Sequence, residues 1–100
     1  MFIAIVDFRT TPADRPAALA HLDAEGVVVR GMPGNLAFRV YAGREGGGGV
    51  TIVHEWEDEG ALGGYLGSEA FARMGEVVRP MMVDVPVSRR FRAELVESVG

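Results

Sequence analysis

The clearest pattern in the sequence is an alternation of apolar and polar residues over positions 50–56, with helical spacing directly after it. Successive side chains of a strand point to opposite sides, so this stretch presents one side that is apolar apart from a histidine. That side consists of Val50, Ile52, His54 and Trp56. Acidic residues at positions 58 and 59 suit the first turn of a helix. The helical spacing is carried by Ala61, Leu62, Tyr65 and Leu66.

The same patterns predict three further strands and two further helical stretches. Strands are expected over residues 1–9, 35–42 and 84–96. A helix capped by Thr10 or Thr11 should run to about Glu25, with Gly26 ending or disrupting it. The run 27–30 is ambiguous between a last helical turn and an extended connector. Ser68 is a suitable cap for a helix that ends near Pro80.

Glycine is concentrated in Gly43–Gly49, between the second and third predicted strands. A loop that cradles phosphate leads into a helix, whereas a strand follows these glycines. The segment therefore predicts the tip of a β-hairpin.

The order strand, helix, strand, strand, helix, strand is that of a ferredoxin-like α+β fold, a split βαβ arrangement expected to span residues 1–100 as a single domain. Both helices should cover one face of an antiparallel sheet. The other face is expected to carry apolar and charged residues together: Ile3, Ile5, Tyr41 and Val53 with Asp7, Arg9, Arg39, Glu55, Arg90 and Arg92. Such a face predicts pairing with the sheet of a second copy, as a homodimer. The alternative is a solvated face with scattered apolar residues.

Composition narrows the classes of function. The chain has 100 residues, 48% of them hydrophobic, and a net charge of −4, which argues against nucleic-acid binding. It contains no cysteine, and its two histidines, His21 and His54, lack the spacing of metal ligands. No apolar run approaches the roughly 20 residues of a membrane span, and the first residues lack the features of a signal peptide. A cytoplasmic location is expected.

Two segments resemble the antibiotic biosynthesis monooxygenase family. HEWEDEGALGGYLGSEAF, residues 54–71, is similar to the family's tryptophan-containing strand and following helix, and PGNLAFRVY, residues 33–41, is similar to its second strand. The resemblance implies a dimeric α/β barrel with a small-molecule cavity between helices and sheet. It also implies that molecular oxygen attacks an aromatic polyketide such as an anthrone, or a quinol, without a metal or flavin cofactor.

The sequence departs from the family at several positions. Haem-degrading relatives pair the tryptophan with a histidine on the second helix, and residues 72–75 contain none, so haem degradation is not expected. Quinol-oxidising relatives often carry a histidine where Tyr65 stands. Anthrone-oxygenating relatives use an asparagine together with the tryptophan, and Ile52 stands in place of that asparagine. Of these two residues the chain therefore retains only Trp56.

Cofactor-free oxygenation requires that the protein bind and deprotonate the substrate and exclude water. His54 is the candidate base, since the ordinary histidine pKa lies near neutral pH. Trp56 is the candidate stacking surface for an aromatic ring. The alternatives are a hydrogen-bonded core histidine and a tryptophan that only fills the core.

Further candidates for substrate contact lie on the helices and strands. Tyr65 can hydrogen-bond a substrate oxygen, and Arg73 can hold a developing oxyanion. Phe8, Phe38, Phe71 and Met74 either line the cavity or fill the core. Two other functions stay open: a non-catalytic barrel that binds a hydrophobic metabolite, and a non-oxidative cyclase or decarboxylase on the same scaffold.

Overall fold

An antiparallel sheet of four strands forms one layer of the molecule, with helices packed on one of its faces. The computed structural model describes all residues, 1–100. The elements are β1 (Phe2–Arg9), α1 (Arg15–Arg30), β2 (Asn35–Ala42), β3 (Gly49–Trp56), α2 (Glu59–Leu66), α3 (Glu69–Val78) and β4 (Val87–Arg92), with a 3-10 turn (Arg79–Met81) after α3. The strand order β2-β3-β1-β4 is that of the ferredoxin-like α+β fold, which confirms the fold prediction.

The helix ends follow from local hydrogen bonds. Asp58 caps α2 by accepting from the backbone N–H of Ala61 at 2.8 Å. Ser68 caps α3 by accepting from the N–H of Phe71 at 3.2 Å, as predicted. None of the helices has the length and apolar character needed to cross a membrane.

The first helix is longer than predicted, because Gly26 does not end it. α1 continues through the ambiguous run to Arg30. A Cβ at Gly26 would lie 3.2 Å from Cδ1 of Phe38 on β2. The glycine therefore allows the helix to approach the sheet closely, and the contact with β2 keeps the last turns helical.

The helix-facing side of the sheet forms the core. The predicted apolar side of β3 is buried in full, and the largest fully buried side chains of the protein are Trp56, Leu22, Val29, Val50 and Val78. One row of neighbours crosses all four strands and consists of Phe38, His54, Ala4 and Arg90. In this row only the methyl group of Ala4 separates His54 from Arg90.

The last strand is shorter than predicted, and its sides are reversed. Arg90 pairs with Ala4 and Arg92 with Phe2, which places both arginines on the helix side and not on the open face. The guanidinium of Arg92 lies 4.9 Å from the centre of the Phe2 ring, above that side. Phe91 instead lies opposite Ile3 on the open face. The prediction was wrong because it placed the more apolar side of β4 against the helices, whereas the open face is itself partly apolar.

Candidate active site

A cavity of about 210 Å³ lies between the helix-facing side of β1, β3 and β4 and the helices α2 and α3. Its wall is mainly apolar, and its polar lining residues are His54, Tyr65, Arg79, Ser88 and Arg90. The remaining lining residues are Val6, Phe8, Ile52, Leu66, Phe71, Met74, Gly75, Val78, Met82 and Pro86. No carboxylate contributes to this wall. The cavity therefore combines an apolar interior with hydrogen-bond donors and positive charge.

Trp56 fixes the protonation pattern of His54. The two residues follow each other on the buried side of β3, and the indole Nε1–H of Trp56 donates to Nδ1 of His54 at 2.7 Å. A neutral imidazole carries one proton, so when Nδ1 accepts a hydrogen bond the proton is on Nε2. Nε2 has no partner within the chain and is accessible from the cavity that His54 lines. His54 therefore offers a hydrogen-bond donor to a bound molecule.

The environment keeps His54 neutral. Burial lowers the pKa of His54, and the positive charge of Arg90 lowers it further, to about 4. A neutral ring whose Nδ1 lone pair is already used is poorly suited to take a proton near pH 7. The geometry thus favours a donor role for His54 over the base role that the sequence suggested.

Tyr65 forms the wall between Trp56 and the cavity. Its ring stacks on that of Trp56, with centroids 5.4 Å apart and planes 23° apart, and it meets Phe71 edge-on at 5.3 Å. Its hydroxyl donates to Sδ of Met74 over 3.9 Å, a weak contact. Burial, with a smaller contribution from Glu25, raises the pKa of Tyr65 to about 12. The phenol is therefore a neutral group near pH 7 that can turn its hydroxyl to a ligand.

The structure brings together five of the predicted site residues and excludes three. The five in the cavity wall are Phe8, His54, Tyr65, Phe71 and Met74. Trp56 is fully buried behind Tyr65 and His54 and does not line the cavity, so its ring has no exposed face in this structure. Phe38 is also excluded, because it packs behind the rings of His54 and Tyr65, at 5.8 and 6.3 Å.

Arg73, the third excluded residue, is held by α1. Its Nε donates to Oε1 of Glu25 at 2.7 Å and its second nitrogen to Oε2 at 3.3 Å. The hydrogen bonds and charge of Glu25 raise the pKa of Arg73. Arg73 therefore ties α3 to α1 and does not reach the cavity to hold an oxyanion.

Sequence reasoning missed Arg79, Ser88 and Arg90 as cavity residues. Ser88 and Arg90 share a side of β4, so the alternation placed them together but on the wrong face. Ser88 pairs with Val6 and Arg90 with Ala4, and this register with β1 determines which face of the sheet they lie on. The pattern of β4 alone does not reveal the register. No group of three acidic or histidine side chains is arranged to hold a metal ion.

The fold and the cavity define a ferredoxin-like α+β domain with a mainly apolar cavity beneath its helices. The family model described as antibiotic biosynthesis monooxygenase matches residues 1–77, and the chain belongs to this family. No curated protein matches the sequence.

Solved structures show the same fold at low sequence identity. A crystal structure of an antibiotic biosynthesis monooxygenase is 19% identical, with a TM-score of 0.86 over 95% of this chain and 100% of that one. A protein from Deinococcus radiodurans, proposed to belong to the same class, is 17% identical with a TM-score of 0.90 and full coverage of both chains. A protein from Mycobacterium tuberculosis is 22% identical, with a TM-score of 0.85 over 98% of each chain.

Proposed function

We propose that the protein is a cofactor-independent monooxygenase that acts on a quinol-type or anthrone-like aromatic molecule. The family supports monooxygenase chemistry, and the observation that carries the proposal is the Nε2–H of His54, which Trp56 fixes toward an apolar cavity. The cavity volume, about 210 Å³, is below the roughly 300–1,000 Å³ of sites for drug-sized ligands. It favours a substrate of one or two aromatic rings.

The proposed reaction begins with an anion of the substrate. As the substrate enters from water, a hydroxyl or activated C–H loses its proton to solvent, and inside the cavity the Nε2–H of His54 donates to the oxygen that takes up the negative charge. The hydroxyl of Tyr65 is a second possible donor to this oxygen, since Met74 holds it only weakly. The two donors lower the free energy of the anion, which is the species that can pass an electron to oxygen.

Oxygen supplies both the oxidant and the inserted atom. Transfer of one electron from the anion to O₂ gives a radical pair, and its recombination forms a C–O bond at a ring carbon. That carbon then loses its hydrogen, the O–O bond breaks, one oxygen atom stays as a carbonyl and the other leaves as water. Quinol and O₂ thus give a hydroxyquinone and water, with O₂ reduced by four electrons. The apolar wall protects the intermediates from water.

Oxygen uptake tests the proposal. Metal-free protein is supplied with a panel of anthrones and hydroquinones, beside a heat-denatured sample that measures uncatalysed oxidation. With ¹⁸O₂ the product should gain one labelled atom, whereas a simple two-electron oxidation would give hydrogen peroxide and an unlabelled quinone. His54→Phe should abolish uptake, and the matched control His21→Phe, outside the cavity, should retain it. Unchanged turnover in His54→Phe would contradict the proposed role.

A non-oxidative cyclase or decarboxylase is the second candidate, because the Nε2–H of His54 would stabilise an enolate in those reactions as well. Anaerobic incubation separates the two. A substrate consumed equally with and without oxygen supports the non-oxidative enzyme, and one consumed only with oxygen supports the monooxygenase.

We also propose that the open sheet face pairs with a second copy of the chain. Phe91 and Ile3 are neighbours there, and Tyr41 and Val87 are about half exposed, at 51% and 56%. Ion pairs lie beside this apolar surface, with Arg39 3.2 Å from Glu55. Sedimentation should give a dimer for the native protein and a monomer for Ile5→Glu. The control Val27→Glu adds the same charge on the exposed side of α1 and should leave the dimer intact.

A further inference from the structure

We infer that the substrate carries a carboxylate group, which Arg90 and Arg79 bind at the mouth of the cavity while the aromatic part occupies the interior. This inference names the substrate class of the proposed active site and rests on that proposal for the site's chemistry. It is carried by the distribution of arginine partners, by the lining of the cavity and by the register of β4.

Most of the arginines already have hydrogen-bond partners within the chain. All ten basic residues are arginines. Seven of them donate hydrogen bonds to carboxylates or backbone carbonyls, and these are Arg9, Arg15, Arg30, Arg39, Arg73, Arg89 and Arg92. The three that have no such partner are Arg44, Arg79 and Arg90. Arg44 lies in the exposed hairpin loop, whereas the other two line the same cavity.

The two arginines occupy the rim of the cavity from different elements. Arg90 projects from β4 on the side that faces the helices, one strand beyond Ala4 and two strands from His54. Arg79 follows α3 in the 3-10 turn. Both residues are exposed, and both contribute to the wall of the same mainly apolar cavity. Because no carboxylate lines the wall, neither guanidinium is neutralised by the protein itself.

A carboxylate on an aromatic molecule fits this arrangement. A guanidinium presents paired N–H donors that match the two oxygens of a carboxylate. The neighbouring Ser88, on the same side of β4 as Arg90, can donate a further hydrogen bond. A neutral aromatic molecule would fill the interior but leave both charges at the rim without a partner. The site therefore selects an amphipathic acid over a neutral molecule of the same shape.

Binding of oxygen-inert probes tests the inference independently of turnover. Calorimetry with 2-naphthoate, with 2-naphthamide as its neutral counterpart and with 2-naphthyl phosphate compares a carboxylate, an amide and a phosphate on one ring system. We expect 2-naphthoate to bind about tenfold to a hundredfold more tightly than 2-naphthamide, the range for charge-assisted hydrogen bonds. Arg90→Gln and Arg79→Gln should each reduce this preference. Arg44→Gln, which removes the same charge from the hairpin, should retain it.

Several outcomes would overturn the inference. Equal affinity of the native protein for the acid and the amide would do so without any variant, even where a variant fails to fold. An equal loss in Arg44→Gln would assign the preference to the net charge of the protein. Tighter binding of 2-naphthyl phosphate than of 2-naphthoate would assign the rim to phosphate esters.

The same measurements separate the inference from the proposed function. A preference for 2-naphthoate in a protein that oxidises none of the panel would support the anion site and contradict the monooxygenase. Equal kcat/KM for hydroquinones with and without a carboxylate would support the monooxygenase and overturn the anion site.

Discussion

The indole Nε1 of Trp56 lies 2.7 Å from Nδ1 of His54, two residues earlier on the same side of β3. This hydrogen bond connects the fully buried Trp56 to a residue of the cavity wall, which Trp56 itself does not line. It selects the neutral imidazole that carries its proton on Nε2. In the proposed mechanism Trp56 is a positioning residue, and His54 is the group that meets the substrate.

Trp56→Phe should separate this positioning role from core packing. The variant keeps an aromatic ring but leaves Nδ1 of the buried His54 without its donor, which costs about 1–3 kcal/mol of stability. If the proposed role of His54 is correct, kcat should fall about tenfold, equivalent to about 1.4 kcal/mol, with a smaller change in KM. Nitrogen NMR of His54 should show the proton on Nε2 in the native protein, and a proton on Nδ1 would contradict the assignment. Phe38→Leu, which changes the packing against the His54 ring from outside the cavity and leaves the hydrogen bond in place, is the control for packing.

The low pKa of His54 predicts that the protein loses stability in mild acid. Burial, and then Arg90, lower the pKa of His54 to about 4 in the folded chain, whereas the ordinary histidine pKa is 6.5. The folded state therefore binds fewer protons than the unfolded state between these values, so stability falls as pH falls through this window. His54 alone should account for a loss of about 2 kcal/mol between about pH 7 and pH 5.

Denaturant unfolding at several pH values measures this contribution. All other ionisable groups are common to the native protein and to His54→Phe. The unfolding free energy of the native protein should therefore fall more steeply with falling pH than that of His54→Phe. A difference that stays constant from pH 7 to pH 5 would mean that His54 titrates at its ordinary pKa in the folded chain.

The pairing of Arg73 with Glu25 predicts an effect on stability without an effect on turnover. Arg73→Gln leaves the carboxylate of Glu25, whose side chain is 8% exposed, without its two hydrogen bonds. The melting temperature should fall, and adding Glu25→Gln should recover part of the loss, because the buried charge is then removed. The activity of the folded fraction should equal that of the native protein. A lower kcat in the fully folded variant would instead place Arg73 in the catalytic machinery.

Alanine substitutions at two glycines test the close approach of the loop before β2 to helix α2. Gly34 and Gly46 both have positive φ, 79° and 72°. A Cβ at Gly34 would lie 2.5 Å from Cβ of Ala61 on α2, whereas a Cβ at Gly46 meets nothing within 4 Å. Gly46→Ala should cost about 1–2 kcal/mol from backbone strain alone. Gly34→Ala should cost about 1–3 kcal/mol more through overpacking, as measured by urea unfolding, and equal costs would mean that α2 shifts freely.

The sequence predicted the strands best where one side of the sheet is buried and the other is not. β2 has the predicted bounds, and the buried side of β3 was identified residue by residue, because burial on one side imposes a period of two. The same period was present in β4 and indicated which residues share a side. It did not indicate which side faces the helices, because Phe91 finds apolar neighbours on the open face. For that reason Arg90 was predicted on the open face, whereas it lies on the side that faces the helices.

The sequence predicted which residues lie at the site better than it predicted how they are arranged. The spacing of His54 and Trp56 on one side of a strand was visible, but the direction of the hydrogen bond between them depends on rotamers that the pattern does not encode. The size of Trp56 suggested a stacking surface. In the folded chain Tyr65 of α2 stacks on that ring and takes its place in the cavity wall.

The small side chain of Ala4 links the proposed anion site to the titration of His54. Because only a methyl group separates His54 from Arg90, the guanidinium opposes protonation of the imidazole. An anion bound to Arg90 offsets that charge and makes protonation of His54 easier. By thermodynamic linkage, protonation of His54 then strengthens the hold on the anion. For the carboxylate ligand proposed above, acidification would therefore strengthen binding while the fold itself becomes less stable. The bound ligand would then stabilise the folded state at the pH where it is least stable.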